Sequence, residues 1–249
     1  MSLFTDATIV SLADFVTVLG GIGPSAARWF RGQPRDRYGL VPSLARLKGD
    51  WLSNERTLRS RFEQNAAALI PPIPRSEWDW LLLMQHYGVP TRLLDWSENP
   101  LAALYFATVG TDRDAIYDGV VWALDPVALN KSANIPIPPD GIPILDMEDV
   151  LDSYTPQSVS KAAVSLGPIA VLAKRQFPRM VAQSGVFTVI HTDRTPLEKI
   201  RAGEFVGKII IPKAAKGSIA DELRSVGITR LSMFPELESV AAVAKGFLS

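Results

Sequence analysis

The chain of 249 residues has no cysteine and only two histidines, His86 and His191. Disulfides and thiolate-held metals are therefore excluded, a histidine-rich metal centre is not expected, and no metal is assigned. No apolar run approaches the roughly 20 residues that a membrane-spanning helix needs. The opening Met-Ser-Leu-Phe-Thr-Asp has neither the basic cluster nor the apolar core of a secretory signal. The expectation is a cytoplasmic protein without a membrane partner. An excess of either charge is also lacking, since 26 basic residues balance 26 acidic ones. Duplex nucleic-acid binders draw non-specific affinity from a basic excess, so duplex binding is not expected. The arginines of the first third, from Arg28 to Arg61, instead suit a solvated or anion-binding face. Phosphate-cradling Gly-x-x-x-x-Gly-Lys, Gly-x-Gly-x-x-Gly and Gly-x-Ser-x-Gly motifs are absent as well.

What is present reads as strand-rich segments with helices between them within one domain, residues 1–249. A helix starts near Ser11 and ends at Gly20-Gly21, and a short strand spans 27–32. A helix over 54–69, capped by Ser53 or Asn54, stops at Pro71-Pro72. Another spans 76–86, with Ser76 as N-cap and Gly88 as its stop. A strand at 91–96 leads to Asn99-Pro100, a cap followed by proline at the first helical position. The helix that follows is apolar on every side and belongs in the core. Strands are expected at 119–124, 169–172, 185–190 and 208–211, and helices at 219–225 and 236–245. Residues 130–168 are proline-rich and aperiodic, which predicts an irregular insertion with a short helix at 158–164, acting as a cover over the site. Without regular βαβ alternation, the class is α+β.

The chemistry concentrates between Gln85 and Ala107. In a strand, Thr91, Leu93, Asp95 and Ser97 share one face, and Arg92, Leu94 and Trp96 the other. A carboxylate there needs donors, and Arg31 and Arg92 are candidates for a bidentate one. Arg31 inside a short strand, followed by Gly32 admitting close approach, suits an anionic ligand. Asp95 and Arg92 bridging turns is the plainer alternative, and His86 in the last turn of a helix is favoured there by the dipole.

Phe30-Arg31-Gly32, the run from Gln85 to Trp96 and the Ala-Leu-Tyr-Phe-Ala helix resemble the FRG-domain family, as do Gln183-Ser-Gly-Val-Phe187 and Leu-Ser-Met-Phe-Pro-Glu-Leu-Glu238. The order of elements is also similar to ADP-ribosyltransferases of the Arg–Ser–Glu type. That second resemblance implies a split mixed or antiparallel sheet with flanking helices, and NAD as a substrate. It places Arg31 on the dinucleotide, Ser97 near the serine motif before Ala103 to Phe106, and Gln183 where a catalytic glutamate belongs. The departures are Asp95-Trp96-Ser97 in place of Ser-Thr-Ser, and an amide at 183. Asp95 would then supply the missing carboxylate, with Glu204 a more remote substitute. The candidate catalytic residues are Asp95, Gln183 and His86. The candidate NAD-binding residues are Arg31, Gly32, Gln85, Thr91, Arg92, Ser97 and Phe187.

The implied function is ADP-ribose transfer to a macromolecular acceptor or NAD hydrolysis, in a bacterial toxin or phage-defence effector. A module that senses a nucleotide or binds a regulatory protein without chemistry is the alternative. In a third reading, 85–107 is only core.

Overall fold

A computed structural model describes residues 6–22, 28–70, 72–133, 135–137 and 141–246. Ala27, Pro71, Pro138 and Pro139, which figure in the sequence reading, lie outside them. Seven strands form the order β1-β7-β4-β2-β3-β6-β5. They are β1 (Ala7–Thr8), β2 (Trp29–Gln33), β3 (Leu93–Ser97), β4 (Gly119–Leu124), β5 (Ile169–Val171), β6 (Gly185–Val189) and β7 (Val206–Ile211). Among the described residues, only β1 and β7 pair in parallel; every other neighbouring strand pair is antiparallel. This is a mixed sheet of the α+β kind, with helices on its faces. The helices are α1 (Leu12–Gly21), α2 (Trp51–Ala66), α3 (Glu77–His86), α4 (Pro100–Thr108) and α5 (Pro126–Ser132). After them come α6 (Pro156–Val159), α7 (Pro178–Ala182), α8 (Lys216–Ser225), α9 (Arg230–Met233) and α10 (Leu237–Gly246).

Local chemistry sets the helix starts that matter. The Ser76 side chain accepts from the Asp79 N–H at the head of α3, and Asn99 accepts from Leu101 at the head of α4. Each satisfies an orphan donor of the first turn. Gly88, just beyond α3, takes a left-handed φ of 73° that suits glycine. Helix α2 starts earlier than expected. Asp50, not Ser53 or Asn54, is its cap and accepts from Leu52 and Ser53.

The sheet has a seam. β2 pairs with β4 over five residue pairs but its ladder with β3 has one pair, Phe30 with Ser97. One half is therefore β1-β7-β4-β2 and the other β3-β6-β5. Helix α4 lies against β2 and β4, where two glycines let it approach. A Cβ on Gly32 would sit 1.8 Å from the Ala103 carbonyl oxygen, and one on Gly119 would sit 2.3 Å from that of Ala107. Phe30, Ala103, Ala107, Val121 and Ile209 fill the core beneath α4.

The proline-rich segment departs from expectation. A 3-10 turn spans Asp149–Tyr154, α6 overlaps the expected 158–164 helix at 158–159 but starts at Pro156, and α5 was not anticipated. Leu145, Leu151, Tyr154 and Val159 are buried, and the Tyr154 hydroxyl donates to the Gly167 carbonyl at 2.6 Å. These four side chains tie the described part of the segment to the core, while Met147 and Val164 stay exposed.

Behind Tyr154 stands His191, 2 % exposed. Its Nδ1 accepts from the Leu166 N–H at 3.2 Å. Desolvation lowers its pKa below the ordinary histidine value, nearby Arg92 lowers it further, and a backbone hydrogen bond to Ser153 opposes them. The unfolded chain therefore takes up the proton first. Stability from neutral His191 is complete above about pH 6.5 and is lost as pH falls through the lower folded value. Urea midpoints should hold steady from about pH 8 to 7 and decline below about 6.5, with a shallower decline in His191→Gln. An identical acid slope in both proteins would assign the loss elsewhere.

Candidate functional site

A cleft of about 240 Å³ opens over the seam. Its floor comes from the strands, through Phe30, Asp95, Ser97, Gly185 and Phe187, and its walls from α3, α4 and α7. The register accounts for the floor: Asp95 lies opposite Phe187, and Ser97 opposite both Phe30 and Gly185. Directly opposed antiparallel residues share a face, so the polar residues of β3 meet aromatic rings from both halves.

Arg31 closes the seam. Its Nη1 donates to the Asp95 carbonyl at 2.6 Å and lies 3.8 Å from the Asp95 carboxylate. The Nε of Arg31 is buried without a hydrogen-bond partner among the described residues, a donor left unmatched beside the cleft-lining part of the side chain. Desolvation holds this guanidinium below the ordinary arginine pKa; Asp95 opposes the shift and Arg46 adds to it. It remains a cation at any physiological pH.

Asp95 is held by a chain of hydrogen bonds. The buried Thr91 hydroxyl donates to Gln85 Oε1 and accepts from the Leu93 N–H. Gln85 is thereby oriented so that its Nε2 donates to Asp95 Oδ2 at 2.6 Å. The chain runs Thr91, Gln85, Asp95, and it ends on a carboxylate that remains 55 % exposed and lies 3.8 Å from Arg31. An anion fixed on one side and open on the other is arranged to meet positive charge.

His86 stacks on Phe177 at 4.5 Å with the rings 9° apart, and it makes no hydrogen bond among the described residues. A Ser97–His86–Asp95 triad is therefore not formed. Desolvation lowers the His86 pKa, Arg179 lowers it further and Glu236 opposes this. A neutral imidazole at the cleft wall is able to accept a proton.

Of the ten candidates, eight line the cleft: Arg31, Gly32, Gln85, His86, Asp95, Ser97, Gln183 and Phe187. Thr91 stands behind Gln85. Arg92 is elsewhere, and its expected ligand role is corrected. It is fully buried, and its guanidinium pairs with Glu55 and donates to the Tyr154 carbonyl. It also lies over the Trp51 ring. Strand alternation turns Arg92 away from the face that carries Asp95. Glu204 pairs with Arg201 in the turn before β7 and does not line the cleft.

Three residues line the cleft but are otherwise engaged. The space beside Gly32 is taken by α4, not by a ligand. The Ser97 hydroxyl accepts from the Asn99 N–H and donates to the Gln183 carbonyl at 2.6 Å, bracing the turn into α4. Gln183 lies ahead of β6. It ends α7, Ser184 beyond it has a φ of 47°, and its Nε2 donates to the Met233 carbonyl at 2.9 Å. Sequence reasoning passed over Leu82, Phe106, Arg179 and Met180, which also line the cleft.

The strand with Phe30 and Gly32 under α4 and Arg31 across the seam, together with the α3–β3–α4 unit, is one continuous stretch of chain. Residues 26–115 match the FRG domain. The FRG segment supplies β2, α3, β3 and α4, hence Arg31, Gln85, His86 and Asp95. The α7 and β6 wall, with Arg179, Gln183 and Phe187, lies beyond it. No curated protein and no solved structure matches the chain.

Proposed function

We propose that the FRG segment and its α7–β6 wall form an NAD-using site of the ADP-ribosyltransferase type. The hydrogen-bond chain that ends on half-exposed Asp95 carries this reading. When the bond between nicotinamide and ribose breaks, nicotinamide leaves with the bonding pair and positive charge develops on the ribose ring. A carboxylate already fixed by Gln85 and Arg31 stabilises that charge with little reorganisation. Phe30, Phe106 and Phe187 offer aromatic surface to the planar leaving ring. The Arg31 guanidinium, whose side chain is 21 % exposed, suits a phosphate oxygen. Neutral His86 is placed to take the proton of the acceptor hydroxyl, whether from water or a macromolecule.

Asp95→Asn tests this directly. It preserves shape and removes charge from a largely exposed group, so melting should stay within about 1 kcal/mol of the parent. Nicotinamide release from NAD should fall about 100-fold, as for loss of one electrostatic group at a reacting centre. Undiminished release by Asp95→Asn would remove Asp95 from the chemistry.

The engagement of Ser97 and Gln183 in backbone hydrogen bonds favours a second reading, a nucleotide sensor without turnover. NAD would then raise the melting temperature while nicotinamide stayed bound in NAD.

A further inference from the structure

A second cavity of about 380 Å³ adjoins the cleft, between α4, α7, α9 and the start of α10. The two share Phe106 and Arg179 as their partition. Its aromatic walls are Tyr105, Phe106 and Phe234, with Phe106 and Phe234 edge to face at 5.8 Å. Glu236 supplies the decisive polar group. Its Oε1 is buried and has no hydrogen-bond partner among the described residues, so a strong acceptor lacks a donor. Arg179 lies over the Phe234 ring at 4.7 Å and forms no ion pair among the described residues. A cation thus stands where the two cavities join, without an anion of its own.

These features match the parts of a dinucleotide. The cleft alone is smaller than the roughly 300–1,000 Å³ of ordinary ligand sites, and adding the second cavity brings the combined space into that range. A flat heterocycle packs against phenylalanine rings, and an exocyclic amino group supplies the N–H that the Glu236 carboxylate lacks. A diphosphate linking two nucleosides would pass the partition, where a guanidinium meets it in charge-assisted hydrogen bonds. We propose that the second cavity is the adenine subsite of a dinucleotide whose other nucleoside occupies the cleft, with Glu236 on the adenine 6-amino group and Arg179 on the diphosphate. This extends the NAD reading above and takes NAD as the dinucleotide.

Binding, measured separately from turnover, decides the matter. Titration calorimetry of the full chain with NAD and with deamino-NAD, in which hypoxanthine replaces adenine, should show NAD about tenfold tighter. Glu236→Ala should bring the two ligands within about twofold. Arg179→Gln should weaken NAD about tenfold while leaving the preference for NAD over deamino-NAD. If Glu236→Ala fails to fold, the parent's preference and Arg179→Gln still give the answer. Equal binding of both dinucleotides by the parent, normal NAD binding by Arg179→Gln, or no NAD binding at all would overturn the subsite. Nicotinamide release without adenine discrimination would leave the transferase reading standing and remove the subsite. Discrimination without release would do the reverse.

Discussion

Arg92→Met is expected to lower stability by about 3–5 kcal/mol, the loss typical when one member of a buried ion pair is removed. Arg92 and Glu55 are 0 % and 1 % exposed, and the carboxylate takes both the Nε and an Nη of the guanidinium. A third bond runs to the Tyr154 carbonyl at 3.2 Å. Methionine fills similar space but leaves the Glu55 carboxylate buried without its partner, and the Tyr154 carbonyl without a donor. For a chain of this size the loss corresponds to roughly 6–20 °C in melting temperature. Arg92→Met with Glu55→Leu should recover much of it, since an apolar replacement of both members of a buried pair is often nearly neutral. Urea denaturation of the two proteins measures the difference. A single variant within about 1 kcal/mol of the parent would mean that water reaches Glu55. This pair anchors β3 to α2, so the site's framework depends on a charge that the site itself does not use.

Gly32→Ala should cost at least about 3 kcal/mol, the upper end of the overpacking range. The added methyl would meet the Ala103 carbonyl oxygen at 1.8 Å and the Ala107 nitrogen at 2.7 Å. Both are backbone atoms within α4, so no side-chain rotation relieves the contact. The helix must lift from β2 or the strand must bend, and either change displaces Ala103 and Phe106 from the cleft wall. Activity or ligand binding should therefore fall together with stability. Gly20→Ala is the control. It lies in α1 with nothing within 4 Å of its added methyl, and alanine is the better helix former by about 1 kcal/mol. Thermal melting of the two variants should move in opposite directions. A neutral Gly32→Ala would refute the steric account of this glycine.

The sequence was legible where one short segment carried its own instructions. Ser76 and Asn99-Pro100 announce α3 and α4 through caps that need only nearby backbone. The alternation in β3 separates Asp95 from Arg92 correctly. Long-range pairing was hidden. Glu55 is 37 residues from Arg92 and sits in a helix of otherwise polar appearance, so nothing local marks it as buried. α7, which carries Arg179 and ends at Gln183, was hidden because it has five residues, too few to establish a helical period. Ser184 at positive φ then separates Gln183 from β6. Arg179 escaped notice because its role as partition depends on α9 and Phe234, which are distant in sequence.

The single ladder pair between β2 and β3, Phe30 with Ser97, has a consequence for how this strand tolerates change. Within three residues, β2 supplies a ring to the core, a cation to the seam and an empty space for a helix, each on the side of the sheet that requires it. Insertion or loss of one residue ahead of them would exchange the two faces. The guanidinium would then lie beneath α4, and a side chain would occupy the glycine's gap. With only one rung to β3, little pairing on that side would resist such a slip. The opposing force is the five-residue ladder to β4, so substitutions along β4 act at a distance on the alignment of Arg31.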